Sequence, residues 1–217
     1  MGIKIYGMPI SGCTQRVLAA AHEKNLDYEL VIVDLRKHQQ KEPSFLSLNP
    51  FGQVPVFQEG DLKLIESRAI TRYIAYTYEG QGTPLIFKDN KQMAHLTVAM
   101  EIEAHQFESI AIKLAMELAY KGYMGLACDD AIVNEYEPKF AKVLDIYEAY
   151  LSKNKYVAGD TFSLGDVHHM PALQTLSGTK IKKMFEERPH VNAWREEILA
   201  RPSWQKCMAM KKEFLEQ

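Results

Sequence analysis

Two hydrophobic periods alternate along the first third of the chain. IKIY at 3–6 and YELVIVD at 28–34 are short apolar, β-branched runs, and each predicts a strand. Between them, residues 12–24 set Val17, Leu18 and Ala21 among good helix formers and predict a helix. Residues 42–48 predict a short helical stretch. VPVF (54–57) and LKLI (62–65) flank QEGD, whose Gly60 marks a hairpin turn. SRAITRYIAYTY (67–78) then spaces Ile70, Tyr73, Ile74 and Thr77 at helical intervals. The resulting order is βαβαββα, with parallel strands in the first unit and an antiparallel final pair, which is the thioredoxin-like pattern.

EGQGTPLIFKDN (79–90) breaks this pattern with two glycines and a proline, as an interdomain linker would. Beyond it, amphipathic segments at 91–121, 129–151, 165–176, 188–199 and 203–214 predict helices and no strand. The expected organisation is an α/β thioredoxin-like domain over 1–78, a linker over 79–90 and an all-α domain over 91–217. Within the latter, Ser163 and Asp166 form a variant capping box, and Phe162 with Val167 fits a hydrophobic staple. His168 and His169 follow. Adjacent helical residues point about 100° apart and cannot chelate one metal as an i, i+4 pair does, so they are expected to be packing and surface histidines.

Composition narrows the classes of function. The 217 residues are 47% hydrophobic and 25% charged, as in an ordinary globular protein. The 26 basic and 28 acidic residues leave a net charge of -2 without a long basic run, so a nucleic-acid or membrane-surface partner has no electrostatic support. The start MGIKIYGMPI lacks a signal-peptide core, and no stretch approaches ~18 consecutive apolar residues. Cys13, Cys128 and Cys207 form no CxxC pair, which argues for reduced thiols, no metal site and a cytoplasmic location.

The candidate chemistry lies where strands give way to helices. Ser11 precedes the helix beginning at Gly12, so its oxygen is placed to cap that helix. The same helix start offers unpaired amides and a partial positive charge to an anion. NPFGQVP (49–55) feeds a strand through Val54-Pro55, leaving backbone groups open beside a proline that is either cis or trans. LIESRAI (64–70) begins a second helix at Ser67, beside the carboxylate of Glu66. Two helix starts, an open strand edge and one carboxylate suit a short peptide carrying a thiol, two carboxylates and a free amine.

SGCTQRVL, NPFGQVPVF, LIESRAITRYIA and YVAGDTFSLGDVHHMP, in this order along essentially the whole chain, resemble the phi class of the glutathione transferase family, the plant group. The resemblance implies a thioredoxin-like plus helical fold, a homodimer, and glutathione as co-substrate with no permanently bound cofactor. It implies that Ser11 hydrogen-bonds the glutathione sulfur and favours the thiolate, which attacks hydrophobic electrophiles, with peroxidase activity as a second outlet. Gln53, Val54 and Pro55 match positions that hold the peptide backbone. Glu66 and Ser67 match those for the γ-glutamyl end, and Lys41 matches one that pairs with the glycine carboxylate. Gln40 stands where the family commonly has His, with His38 two residues earlier, and one such uncharged contact is worth about 1 kcal/mol.

The resemblance also places a hydrophobic-substrate site among Ile10, Gly12 and Leu35 and the helical residues Leu114, Leu118 and Tyr123. It makes Phe51 an aromatic contact to a neighbouring subunit. Cys13 sits near a helix start where a thiol can become reactive, against the plainer reading of a partly buried packing residue. A non-catalytic carrier of flavonoid- or indole-type ligands is the alternative function, and retention of Ser11, Gln53, Glu66 and Ser67 favours the enzyme. A serine hydrolase is excluded by the lack of a G-x-S-x-G elbow.

Overall fold

The computed structural model describes residues 2–216. Contacts divide it into two units, one formed by the chain up to Pro84 together with the segment from Pro202, the other by Leu85–Arg201. In the first, β1 (Ile3–Gly7), α1 (Gly12–Glu23), β2 (Tyr28–Ile32), α2 (Pro43–Leu46), β3 (Val56–Glu59), β4 (Leu62–Leu64) and α3 (Ser67–Thr77) follow one another. The sheet order is β2-β1-β3-β4. β1 runs parallel to β2 with Ile3 opposite Tyr28, and antiparallel to β3 with Tyr6 opposite Val56. β3 and β4 form an antiparallel pair with Glu59 opposite Leu62, around a turn in which Gly60 has φ +60°. β3 starts two residues later than the apolar run suggests, because Pro55 has no N–H to give a ladder. The Val54-Pro55 bond is cis.

α1 is buried along most of its length, since it packs against α3 and against α11 (Pro202–Leu215). Ile5, Val17, Leu18, Phe57, Ile70 and Ile74 are fully buried in this core. α11 is tied on by polar contacts as well. His22 Nδ1 meets the Ser203 carbonyl at 3.0 Å, and Ser203 Oγ donates to Glu23 Oε1 at 2.5 Å. The last helix therefore groups with the thioredoxin-like unit, and not with the helical domain assigned to 91–217 from sequence. An amphipathic pattern shows that a helix has a buried face, not which partner covers it.

In the second unit, α4 (Asn90–Ile102), α5 (Glu108–Ala115) and α6 (Lys121–Tyr123) are joined without a break by π-helical segments at Glu103–Phe107 and Met116–Tyr120. α7 (Asp130–Leu151), α8 (Leu164–Ser177), α9 (Lys182–Glu186) and α10 (Pro189–Leu199) complete it. α9 has five residues, too few for a period to show in the sequence. The capping box of α8 is present: Asp166 Oδ2 accepts from Ser163 N at 2.9 Å and from Ser163 Oγ at 3.2 Å. His168 and His169 are both fully buried, which corrects the expectation of a surface histidine. α8 is enclosed on every side from Leu164 to Leu173. His169 Nδ1 therefore meets the Gly165 carbonyl at 2.6 Å, and its Nε2 meets Tyr147 Oη at 2.9 Å.

Candidate active site

Close packing at the end of β1 sets the position of Ser11. A Cβ on Gly7 would lie 2.6 Å from Thr14 Oγ1, so only glycine lets the first turn of α1 approach the strand this closely. Gln15 Nε2 donates to the Pro9 carbonyl at 2.7 Å, and Ser11 N donates to the Met8 carbonyl at 2.9 Å. Ser11 is the N-cap residue, with φ -77° and ψ 122°, and its Oγ accepts from Thr14 N at 3.4 Å. That contact uses an acceptor position of the hydroxyl and leaves its proton available to a partner.

The second wall is the loop before Pro55. Asn49, almost wholly buried, donates from Nδ2 to the Gln53 carbonyl at 2.7 Å, and its Oδ1 accepts from Phe51 N at 3.1 Å. Gly52 has φ +60°, and a Cβ there would lie 2.8 Å from both the Gln40 carbonyl oxygen and Lys41 Nζ. Lys41 Nζ donates to the Phe51 carbonyl at 3.2 Å, which keeps the ammonium on this loop. Gln40 and Lys41 belong to a 3-10 turn, Gln39–Lys41. Gln40 Oε1 is sequestered and makes no hydrogen bond among the described residues.

The third wall is the start of α3. Glu66 precedes it with φ 67°, a left-handed conformation that turns the chain sharply from β4 into the helix. Ser67 is 5% exposed and its Oγ accepts from Arg16 Nη1 at 2.9 Å. Arg16 Nη1 also lies 3.7 Å from Cys13 Sγ.

These walls enclose one cleft of about 380 Å³, and Ser11, Gln40, Lys41, Gln53, Val54, Pro55, Glu66 and Ser67 all line it. Leu35 lines it too, whereas Ile10 and Gly12 flank Ser11 without doing so. Cys13, Asn49 and Gly52 share the lining. Asn49 and Gly52 escaped the sequence reading, although an Asn-Pro-x-Gly run is a turn signal that points to them. Leu114, Leu118 and Tyr123 belong to the helical unit. Leu114 is fully buried on α5, which packs against α7 and α8, so it is a core residue and not the wall of an open site. Leu118 is partly exposed and Tyr123 is 71% exposed. Among the described residues no cluster of His, Cys, Asp or Glu could hold a metal ion, and no helix is long and apolar enough to cross a membrane.

The family model for the glutathione S-transferase N-terminal domain matches residues 1–76, and that for the C-terminal domain matches residues 111–202. A glutathione S-transferase of Silene vulgaris is 53% identical over 216 residues, covering 98% of this chain and 100% of that one. One from Hyoscyamus muticus is 50% identical over 97% of this chain and 100% of its own. Among solved structures, glutathione transferase F7 of Populus trichocarpa superposes with a TM-score of 0.93 at 45% identity, covering 96% of this chain and 99% of that one. Glutathione S-transferase I of maize, solved with an atrazine glutathione conjugate, superposes with a TM-score of 0.89 at 36% identity over 98% and 99% of the two chains. The chain belongs to the glutathione S-transferase family, in its plant phi class, and is a glutathione transferase with glutathione as co-substrate.

Proposed function

We propose that glutathione lies along the cleft with its sulfur at Ser11, its γ-glutamyl end at Glu66 and Ser67, and its glycine carboxylate at Lys41 and Gln40. The observation that carries this reading is the convergence of two helix starts, α1 with Ser11 and α3 with Ser67, on one cleft. Each start favours an anion, and glutathione presents a thiolate and an α-carboxylate separated by an extended peptide. Gln53 and Val54 border the same cleft, where Val54 offers backbone hydrogen bonds to the cysteinyl part. Glu66 is exposed and sits beside Ser67, as a partner for the α-ammonium.

Ser11 donates its proton in a hydrogen bond to the sulfur, while its Oγ goes on accepting from Thr14 N. Cap and chemistry thus use different faces of one hydroxyl. A thiol of pKa ~8.5 is about 3% ionised at pH 7, and lowering it by two units stabilises the thiolate by ~2.7 kcal/mol. The thiolate attacks an electrophilic carbon of an apolar co-substrate, forming the C–S bond as the leaving group departs with its electron pair. On an organic hydroperoxide it attacks oxygen instead, and a second glutathione completes the reduction. The protein works in the cytoplasm as a homodimer. Phe51, 68% exposed on the loop that Asn49 and Lys41 brace, supports an aromatic contact to a second subunit.

The test is conjugation of glutathione to a chlorodinitrobenzene substrate by the wild type and Ser11→Ala. A drop of tenfold or more in the variant, ~1.4 kcal/mol of transition-state stabilisation, is the expected result. Equal rates would leave Ser11 as a cap only, and an inert wild type would favour the carrier of apolar ligands.

A further inference from the structure

Arg16 is 1% exposed on α1, and it carries its charge beneath the cleft. Its Nη1 donates to Ser67 Oγ at 2.9 Å in a buried bond that joins residues 51 apart in sequence. It thereby links the helix that Ser11 caps to the helix that Ser67 begins. A guanidinium is always charged and is donor-only. In this bond Ser67 Oγ can only accept, so its single O–H proton is turned to another partner. Because Ser67 lines the cleft, an acceptor supplied from the cleft can take that proton.

We infer that Arg16 is a positioning residue that fixes the polarity of Ser67, and through it the orientation of the amino-acid head of glutathione. The inference rests on the proposed placement of the γ-glutamyl end at Glu66 and Ser67. That head carries an acceptor-only carboxylate and a donor-only ammonium on one carbon. A serine hydroxyl on its own accepts from the second as readily as it donates to the first. With Arg16 donating to its oxygen, Ser67 selects the carboxylate and leaves the ammonium to Glu66, which is acceptor-only when ionised. The buried cation also contributes a positive potential that solvent screens little. A neutral residue at position 16 would free the Ser67 hydroxyl to rotate, and the head would lose its preferred direction. The other contact of Nη1, Cys13 Sγ at 3.7 Å, is to a weak acceptor and does not compete for the role.

The experiment compares glutathione with γ-aminobutyryl-cysteinyl-glycine, the tripeptide whose α-carboxylate is replaced by hydrogen. Full-length wild type, Arg16→Gln, Ser67→Ala and the double variant are assayed at saturating electrophile. The expected result for Arg16→Gln is a KM for glutathione raised ~10-fold or more, as befits a bond to a charged group, with an unshifted pH profile of kcat. In the Ser67→Ala background the same change adds nothing to KM, and with the carboxylate-free tripeptide it adds nothing in either background. Arg16→Lys keeps the buried charge and restores part of the loss. It carries the same cycle if the glutamine variant does not fold.

A KM increase of equal size with and without Ser67, or with either tripeptide, would overturn the inference and leave Arg16 a structural residue. A wild type that uses both tripeptides equally well would instead remove the assignment of Ser67 to the carboxylate, whatever Arg16 does.

Discussion

Asn49 Nδ2 donates to the Gln53 carbonyl at 2.7 Å, and both residues line the cleft that Ser11 and Ser67 share. One side chain therefore bridges the loop that presents Val54. Because its Oδ1 also accepts from Phe51 N, Asn49→Ala removes two hydrogen bonds from a residue 3% exposed. The cost is about 1–3 kcal/mol of stability, read as a lower urea midpoint. KM for glutathione rises with it, while the electrophile KM is unchanged. A variant with normal KM would show that the loop holds its shape without the bridge.

Gly52 and Gly60 share φ +60° and differ in surroundings, which separates backbone strain from steric displacement. At Gly60 nothing lies within 4 Å of an added Cβ, so Gly60→Ala costs only the left-handed backbone, about 1–2 kcal/mol, with normal KM. Gly52→Ala pays the same and also drives a methyl to 2.8 Å from the Gln40 carbonyl and Lys41 Nζ. It should raise KM for glutathione several-fold beyond the Gly60 variant in parallel assays. Equal KM values in the two variants would show that Lys41 yields without consequence.

Thiol titration distinguishes the three cysteines. Cys13 and Cys128 are exposed, whereas Cys207 is buried on α11 and burial pushes its thiol up to about 12. An aromatic disulfide reagent should therefore titrate two thiols in the native protein and three in urea. Because Cys13 lines the cleft, S-methylglutathione should slow one of the two native reactions and spare the other. Protection of neither would place the tripeptide elsewhere.

What was legible in the sequence was local. Ser11 and Ser67 stand at strand-to-helix junctions, and short-range patterning finds such junctions without knowing the fold. Gln40, Lys41 and Gln53 could be named only through family resemblance, since nothing in their own spacing brings them to Ser11. Arg16 reads as one more polar residue on a helix until α3 is placed against it. The π segments at Glu103–Phe107 and Met116–Tyr120 were hidden for another reason, because one extra residue in a turn barely disturbs an amphipathic pattern. The capping box at Ser163 was visible as a motif, but its second function was not. The same carboxylate also serves Trp194, 28 residues away.

That carboxylate gives the stability a pH dependence of predictable sign. Asp166 is fully buried, and Trp194 Nε1 at 2.9 Å, Val157 N at 3.2 Å and Ser163 N at 2.9 Å all donate to it. Burial is the largest influence and pushes its pKa from 3.8 to about 6, while those donors pull the other way. Between these values the folded chain keeps a proton that the unfolded chain releases, so stability falls as pH rises through the window and is flat above it. The full change is about 3 kcal/mol. Asp166→Asn has no proton to lose there, and its amide faces at least one donor with a donor, so at the acid end of the window it is less stable than the wild type by about 1–3 kcal/mol. Urea unfolding of both proteins at half-unit steps from pH 4 to 8 isolates the contribution, because carboxylates common to both cancel in the difference. The advantage of the wild type should shrink between pH 4 and 6 and then hold constant. An advantage that grows across that interval would mean that the donors outweigh burial and hold Asp166 charged at pH 4.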